Sequence, residues 1–241
     1  STGDFYVTNN TNATGSDVNI SNSIIKATKM INDENGNIFI TSNHDINVNN
    51  SRLQATNHPE VNTTNYNGAE IVLNAKDNVN IKDSLLVTDG AVKGTLNSSG
   101  SAVDANTGRL YISAKNGKAS IKNSKLLAQG RTYIQGGKEA NVEDSVIRVS
   151  NTVDASEKKD LNIASNKKVT IKNTIADASG NVNVSVLDGN NLTGNINIVS
   201  DVDANGMNKT IIAAGGDLSL KAADTTIDNA TLAYDTITFF G

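Results

Sequence analysis

A short alternating motif that recurs along the chain is the strongest constraint on its fold. At residues 79–88 the sequence is VNIKDSLLVT, in which apolar and polar residues alternate on both sides of the polar triplet KDS. Because alternation with a period of two places successive side chains on opposite faces, the motif predicts two short β-strands joined by a corner. Its landmark is Ile or Val, any residue, Asn or Asp, and then Ser, Thr or Ala. The Asn or Asp of the landmark occurs at Asn22, Asn50, Asp83, Asn123, Asp144, Asn173 and Asn229.

The inward-facing positions keep one register between units, which indicates stacked coils. One unit has seven such positions between Leu73 and Thr88, and shifts of −33, +61 and +90 residues place small or apolar residues at all of them in three other units. Short strands cannot bury one face alone, whereas parallel stacking of units closes a continuous core. The sequence therefore predicts an all-β fold, a right-handed parallel β-helix (β-solenoid) of about eight coils with three short strands each, its hand following the general preference of parallel crossovers.

We expect residues 1–241 to form a single β-helix domain with insertion loops near 56–67, 89–107, 150–160 and 201–210. The first three insertions follow the third strand of a unit, so they are expected at one corner of the helix, leaving the other two corners tight. Loops gathered on one face of a solenoid often form its contact surface. A corner that merely tolerates extra residues would show the same pattern, so both interpretations stand.

The Asn or Asp of the landmark is interpreted as a structural turn residue. Both types tolerate left-handed backbone angles and can hydrogen-bond within their own turn. Stacked one per coil, their side chains can also bond to the coils above and below. The Ser or Thr that follows is expected to point inward, where its hydroxyl needs a backbone partner. The seven landmark residues are thus predicted to form a turn ladder.

Composition excludes several classes of function. The net charge is −4 and the charges are interleaved, so no basic stripe predicts nucleic-acid binding. No apolar run approaches the ~18 residues of a membrane span, so no membrane insertion is expected. Cysteine is absent, which excludes disulfides and thiolate metal sites. Disorder is rejected because the chain has one Pro and a regular alternation of Ile and Val.

Candidate sites are few. The only histidines, His44 and His58, lie in no recognisable nucleophile or zinc spacing, so no catalytic, cofactor or metal site is predicted. Residues 201–206, DVDANG, begin like a calcium-binding loop, but Ile212 occupies the twelfth position where a bidentate Glu is required, which favours a simple turn. His58 and Tyr66, in the first insertion, are the candidate contact loop, because an aromatic in a polar loop is a plausible contact residue.

Residues 108–114, GRLYISA, and 119–128, ASIKNSKLLA, resemble the repeats of filamentous-haemagglutinin-type exoproteins. The resemblance covers about residues 16–235 and is looser between 180 and 217. It implies an extracellular bacterial surface protein, exported through an outer-membrane transporter partner by two-partner secretion, whose β-helical shaft serves adhesion or presents a toxin. The Asn-Pro motifs of the family's secretion domain do not occur and the first residue is not Met, so we expect a fragment of a shaft.

Two classes of function follow. The first is a non-enzymatic adhesin or shaft segment on the bacterial cell surface, which binds a host-cell or glycan receptor, self-associates, or spaces a distal head. The alternative is a carbohydrate-active β-helix enzyme, a polysaccharide lyase or hydrolase, which would need clustered carboxylates in one groove. Glycan binding and depolymerisation of a polyuronic acid separate these two hypotheses.

Deletion of residues 89–107 tests the insertion model. If the segment is only a corner loop, the β-sheet circular dichroism signal should be retained, because the coils on both sides keep their own core positions. Loss of that signal would show that the segment is part of the fold.

Overall fold

The computed structural model describes residues 3–11, 16–28, 36–56, 69–89, 108–150 and 158–240. In these ranges the chain is all-β, without a helix, and its strands form three parallel sheets. Successive strands go to successive sheets, so each turn of the chain adds one strand to every sheet. The predicted right-handed parallel β-helix with three strands per coil is confirmed.

Eight complete coils are followed by the first strand of a ninth. Coils one to four consist of β1 (Phe5–Asn9), β2 (Val18–Ser21), β3 (Ile24–Thr28), β4 (Ile38–Ser42), β5 (Ile46–Asn49), β6 (Arg52–Thr56), β7 (Ile71–Ala75), β8 (Val79–Lys82), β9 (Leu85–Thr88), β10 (Leu110–Ala114), β11 (Lys118–Lys122) and β12 (Lys125–Ala128). The later coils consist of β13 (Thr132–Gly136), β14 (Glu139–Glu143), β15 (Val146–Val149), β16 (Leu161–Ser165), β17 (Lys168–Lys172), β18 (Ile175–Ala178), β19 (Val182–Asp188), β20 (Asn191–Leu192), β21 (Asn195–Val199), β22 (Ile211–Ala214), β23 (Leu218–Lys221), β24 (Asp224–Asp228), β25 (Thr231–Ala233) and β26 (Ile237–Phe240).

The three sheets enclose the core like the sides of a prism. The first sheet has the order β1-β4-β7-β10-β13-β16-β19-β23-β26, the second β2-β5-β8-β11-β14-β17-β21-β24, and the third β3-β6-β9-β12-β15-β18-β22-β25. We call the bend from the first to the second sheet the first corner, that from the second to the third sheet the second corner, and the return to the first sheet the third corner. The short strand β20 pairs antiparallel with the end of β19 and forms a hairpin at the first corner of coil seven.

The core consists of inward-facing Ile, Val, Leu and Ala side chains stacked in register. In the second sheet, Ile121 pairs with Ile81 on one side and Val142 on the other. The seven inward positions proposed for each of four units are all buried. The predicted register is therefore correct, and it follows from alternation because a slip of one residue would turn every apolar side chain outward.

The insertions lie at different corners. Most of the first three predicted loops, residues 57–68, 90–107 and 151–157, fall outside the described residues, as do His58 and Tyr66. In chain order, each of the three segments falls between a third strand and the next first strand. The chain ends flanking the second loop are in contact, since the hydroxyl of Thr88 donates to the carbonyl of Gly108 at 2.5 Å.

The expectation that the other two corners are tight is wrong in coil seven. Residues 201–210 lie between β21 and β22, at the second corner, and the β19–β20 hairpin extends the first corner. Both excursions are accommodated because they leave the coil on its outer side. The strands that flank them remain paired, as Ile198 with Ile171 and Ile212 with Ala176 show.

Substitution of Val142 by Asp tests the register. Val142 is fully buried between coils four and six, so an unpaired carboxylate there should lower the free energy of unfolding by about 4 kcal/mol or more. Ser120→Asp is the matched control, because Ser120 points outward from the neighbouring strand of the same sheet, between Lys118 and Lys122. Chemical denaturation should show a loss of less than about 1 kcal/mol for the control. Equal stability of Val142→Asp and the parent would contradict the assigned core.

Candidate binding surfaces

The seven landmark residues all occupy the second corner in the left-handed region. Their φ angles lie between 46° and 52°, and they are the non-glycine residues with positive φ in the described ranges. This conformation costs most L-residues roughly 1–2 kcal/mol, and Asn and Asp adopt it more readily than others. The landmark therefore marks the point where the backbone turns from the second sheet into the third.

The side chains of the turn ladder bond between coils. The amide nitrogen of Asn50 donates to Asn22 Oδ1 at 2.7 Å, and that of Asn123 donates to Asp83 Oδ1 at 2.6 Å. The backbone N–H of each rung from Asn22 to Asn173 also donates to the coil that follows, as in Asp83 N to Lys122 O at 3.1 Å. The side chains of the turn ladder thus join coils in pairs, and Asn173 joins Asp144 in the same way.

In coil seven the rung is formed by Asp201, which the sequence motif did not identify. Asn173 donates to the Asp201 carboxylate at 2.8 Å and accepts from the Asp201 backbone N–H at 2.8 Å. The Asn173 hydrogen bond, helped by the Lys172 ammonium, lowers the pKa of Asp201 below its ordinary value. Asp201 lies one residue later than the motif requires because Ser200 occupies the landmark position.

A second ladder, made of hydroxyl groups, lies just inside the turn ladder. The Ser84 hydroxyl donates to the carbonyl of Lys82 at 2.7 Å and accepts from the backbone N–H of Ser51 at 3.1 Å. Ser124 repeats this arrangement one coil later, with Lys122 O at 2.7 Å and Ser84 N at 3.1 Å. The inward hydroxyl is therefore satisfied by backbone groups, as its burial requires.

The other two corners carry Asn/Asp ladders that the sequence motif does not show. At the first corner, Asp45 Oδ1 accepts from Asn78 N and Asn78 Oδ1 accepts from Lys118 N, both at 2.9 Å. At the third corner, Asp160 Oδ1 accepts from Asn181 N at 2.8 Å, and Asn181 Oδ1 accepts from the next coil at 2.9 Å. The detectable signal was an Asn or Asp shortly before a strand, without the constant Ser or Thr beside it.

A groove of about 570 Å³ runs along the turn ladder over coils one to four. One wall consists of ladder side chains and the other includes Ile24, Arg52 and Lys125. In this wall the side-chain amide of Asn50 donates to Asn22 and that of Asn123 donates to Asp83, which uses part of its hydrogen-bonding capacity. The groove is therefore a weaker candidate than a surface whose polar groups are unpaired.

An aromatic column crosses the outer face of the first sheet. It consists of two aromatic pairs, Tyr6 with Phe39 and Tyr111 with Tyr133, separated by the aliphatic Val72. All five residues share one register position in coils one to five. The rings of Tyr6 and Phe39 stack at 5.2 Å and 15°, and those of Tyr111 and Tyr133 lie 6.1 Å apart at 53°. The chain has only five Tyr and four Phe, so four of its nine aromatic residues lie in this column.

Polar residues follow the aromatic column on the same face. The polar column, two residues further along each strand, consists of Thr8, Thr41, Asn74, Ser113 and Gln135. It leads to a groove of about 380 Å³ at the first corner, whose lining includes Thr41, Asn74, Lys76, Lys115 and Asn116. Ser113 is buried and the other four members are partly or fully exposed, so hydrogen-bonding groups accompany the aromatic column in four of its five coils.

Carboxylates near the aromatic column have partners. Arg109 Nη2 lies 2.8 Å from Glu70 Oε2, and its guanidinium lies 5.6 Å from the centre of the Tyr111 ring. The Tyr6 hydroxyl donates to Asp4 at 2.8 Å. At the first corner, His44 Nδ1 lies 3.6 Å from Asp77 Oδ2. Each of these acidic groups thus has a partner outside the polar column.

In the loop at 201–210, the carboxylate of Asp203 is hydrogen-bonded to backbone groups of the loop itself. Asp203 Oδ1 accepts from the backbone N–H groups of Asn205 and Met207 at 2.8 and 2.9 Å, and these hydrogen bonds lower the pKa of Asp203. Val202 and Met207 are exposed on this loop.

Within the described ranges, no group of three or more His, Asp or Glu side chains is placed to hold a metal ion. No helix there is long and apolar enough to cross a membrane.

Asn123 allows the two roles of a ladder residue to be separated. Asn123→Ala should lower the free energy of unfolding by about 2 kcal/mol. It loses the side-chain hydrogen bond to Asp83, and Ala tolerates the φ of 47° less well than Asn. Asn123→Gly loses only this side-chain hydrogen bond, because Gly adopts positive φ freely, and should lower the free energy of unfolding by about 1 kcal/mol. Chemical denaturation measures both. At the ordinary strand position Ser120 the order should reverse, since Gly weakens strands; a Gly variant of Asn123 less stable than the Ala variant would contradict the left-handed turn.

No family model matches the chain, and no curated protein or solved structure is significantly similar to it.

Proposed function

We propose that the chain is a non-enzymatic adhesion segment of an extracellular bacterial surface protein. In this proposal the β-helix is a rigid shaft, and the outer face of its first sheet binds a glycan receptor. Export by two-partner secretion through an outer-membrane transporter belongs to the same proposal and rests on the resemblance of residues 108–128 to filamentous-haemagglutinin repeats.

The ladders support the role of a shaft. Every corner contributes side-chain hydrogen bonds to the next coil, and the hydroxyl ladder adds bonds inside the second corner. Such bonds are made between neighbours along one axis, so stiffness extends with each added coil. A shaft of this kind can hold a binding surface at a fixed distance from its anchor.

The aromatic column is the observation that carries the binding role. Glycan recognition combines stacking of sugar C–H groups on aromatic faces with hydrogen bonds to hydroxyl groups, and the aromatic and polar columns supply both. Five coils at strand spacing give the surface a length of roughly 19 Å, which suits several sugar rings. Large rigid aromatic side chains also provide contact area at a low cost in conformational entropy.

Binding to an array of neutral and acidic glycans tests this function, with Tyr111→Ala as the diagnostic variant. We expect the parent to bind at least one class of glycan and Tyr111→Ala to weaken that binding about tenfold, because a central aromatic contact is lost. Tyr234→Ala is the matched control, since Tyr234 is a 41% exposed tyrosine outside the first sheet's aromatic column.

Three results would count against the proposal. They are the absence of binding to any glycan, equal losses in the two variants, and cleavage of a polyuronic acid. The last result would favour a carbohydrate-active enzyme. Circular dichroism of both variants should match the parent, because neither side chain lies in the core.

A further inference from the structure

We propose that the ligand of the first sheet is a linear acidic glycan, whose negative groups lie against a row of lysines at the first corner. The inference rests on the proposed glycan-binding function and specifies the class of ligand. We call Lys76, Lys115, Lys138 and Lys167 the corner lysine row. Each is exposed, and they belong to coils three, four, five and six in turn.

The corner lysine row consists of two stacked pairs. Lys76 and Lys115 each follow directly on paired residues of the first sheet, Ala75 and Ala114. Lys138 and Lys167 lie one residue further into the corner, and Lys167 N donates to Lys138 O at 3.0 Å. The backbones of the two members of a pair are thus roughly 4.8 Å apart, the spacing of neighbouring coils, and like charges at that spacing repel.

In the charged rows of the second sheet, carboxylates contact the lysines. Lys118 Nζ lies 2.9 Å from Glu139 Oε2, a contact that lowers the pKa of Glu139. Lys122 Nζ lies 3.4 Å from Glu143 Oε2, and Lys172 Nζ lies 3.5 Å from Asp201 Oδ2. In these rows a carboxylate stands beside the lysine or in the neighbouring coil.

The corner lysine row has no such carboxylate partner within the described ranges. None of its four side chains makes a salt bridge there, and Asp77, the acid beside Lys76, pairs with His44 at 3.6 Å. The row is basic although the whole chain has a net charge of −4. The row therefore differs from Lys82, Lys118, Lys122 and Lys172, each of which contacts a carboxylate.

Position decides what kind of anion fits. Lys76 and Lys115 line the first-corner groove together with Thr41 and Asn74 of the polar column. From Tyr111 to Lys115 the strand advances four residues, roughly 13 Å, with the polar column between them. A chain lying over the polar column would place its rings toward the aromatic column and its acidic groups toward the lysines.

A linear acidic glycan matches this arrangement better than other anions. Its hydroxyl groups suit Thr41, Asn74 and Gln135, its C–H faces suit the tyrosines, and its regularly spaced charges suit lysines stacked at coil spacing. A simple polyanion would use only the lysines. A neutral glycan would leave them without a role.

The test measures binding of three probes: oligogalacturonate, its carboxyl-reduced neutral form, and polyphosphate. Lys76→Gln/Lys115→Gln should weaken oligogalacturonate binding at least tenfold and reduce its dependence on salt, because screened charge pairs are removed. The control, Lys125→Gln/Arg148→Gln, changes the net charge equally on the third sheet and should leave binding within twofold of the parent. Tyr111→Ala should also weaken oligogalacturonate binding.

The outcomes separate this inference from the proposed function. If the parent prefers the neutral form, or the corner double variant binds oligogalacturonate like the parent, the acidic-glycan inference fails while glycan binding stands. If polyphosphate binds as tightly and Tyr111→Ala has no effect, the row is a plain polyanion site and the inference also fails. If no glycan on the array binds at all, the proposed function fails with it.

Discussion

Hydrogen bonding from each coil to the next at the corners is the constraint on which the structure depends. A bend in a strand exposes backbone N–H and C=O groups that the sheet ladder no longer satisfies, and these groups need partners. Here the partners are side chains one coil away, as when Asp45 accepts from Asn78 N. Because the same requirement recurs in every coil, it selects the same residue types at the same place, and the repeat in the sequence is the trace of that requirement.

This explains which parts of the structure were predictable. The second corner needs a left-handed residue followed by an inward hydroxyl, so Asn123-Ser124 and its copies are conspicuous, and they located the turns, the strands and the core register. The first and third corners require only an acceptor, which Asp45, Asn78 or Asp160 supplies without a fixed neighbour. Coil seven was obscured because residues 201–209 separate Ser200 from Thr210, whose hydroxyl groups still serve the ladder.

The candidate surface was much harder to predict than the fold. Tyr111 and Tyr133 are neighbours in space, yet they are 22 residues apart, and Tyr6 and Phe39 are separated by 33. Insertions of different length change these separations from coil to coil, so a column becomes visible only once every strand is placed in register. The sequence instead indicated His58 and Tyr66 as contact residues. Both lie outside the described residues, so this stays a prediction.

The contrast between charged rows links the constraint to the proposed ligand. Stacking at coil spacing forces any outward side chain to stand beside its counterparts, so a charge must be neutralised by a neighbour, by solvent or by a ligand. Glu139 and Glu143 neutralise Lys118 and Lys122 of the second sheet. The corner lysine row lacks this arrangement and lies beside the chain's concentration of aromatic side chains. The regularity that makes the shaft also makes the spacing of these charges regular, and a polymer with a regular charge repeat is the ligand best able to use it.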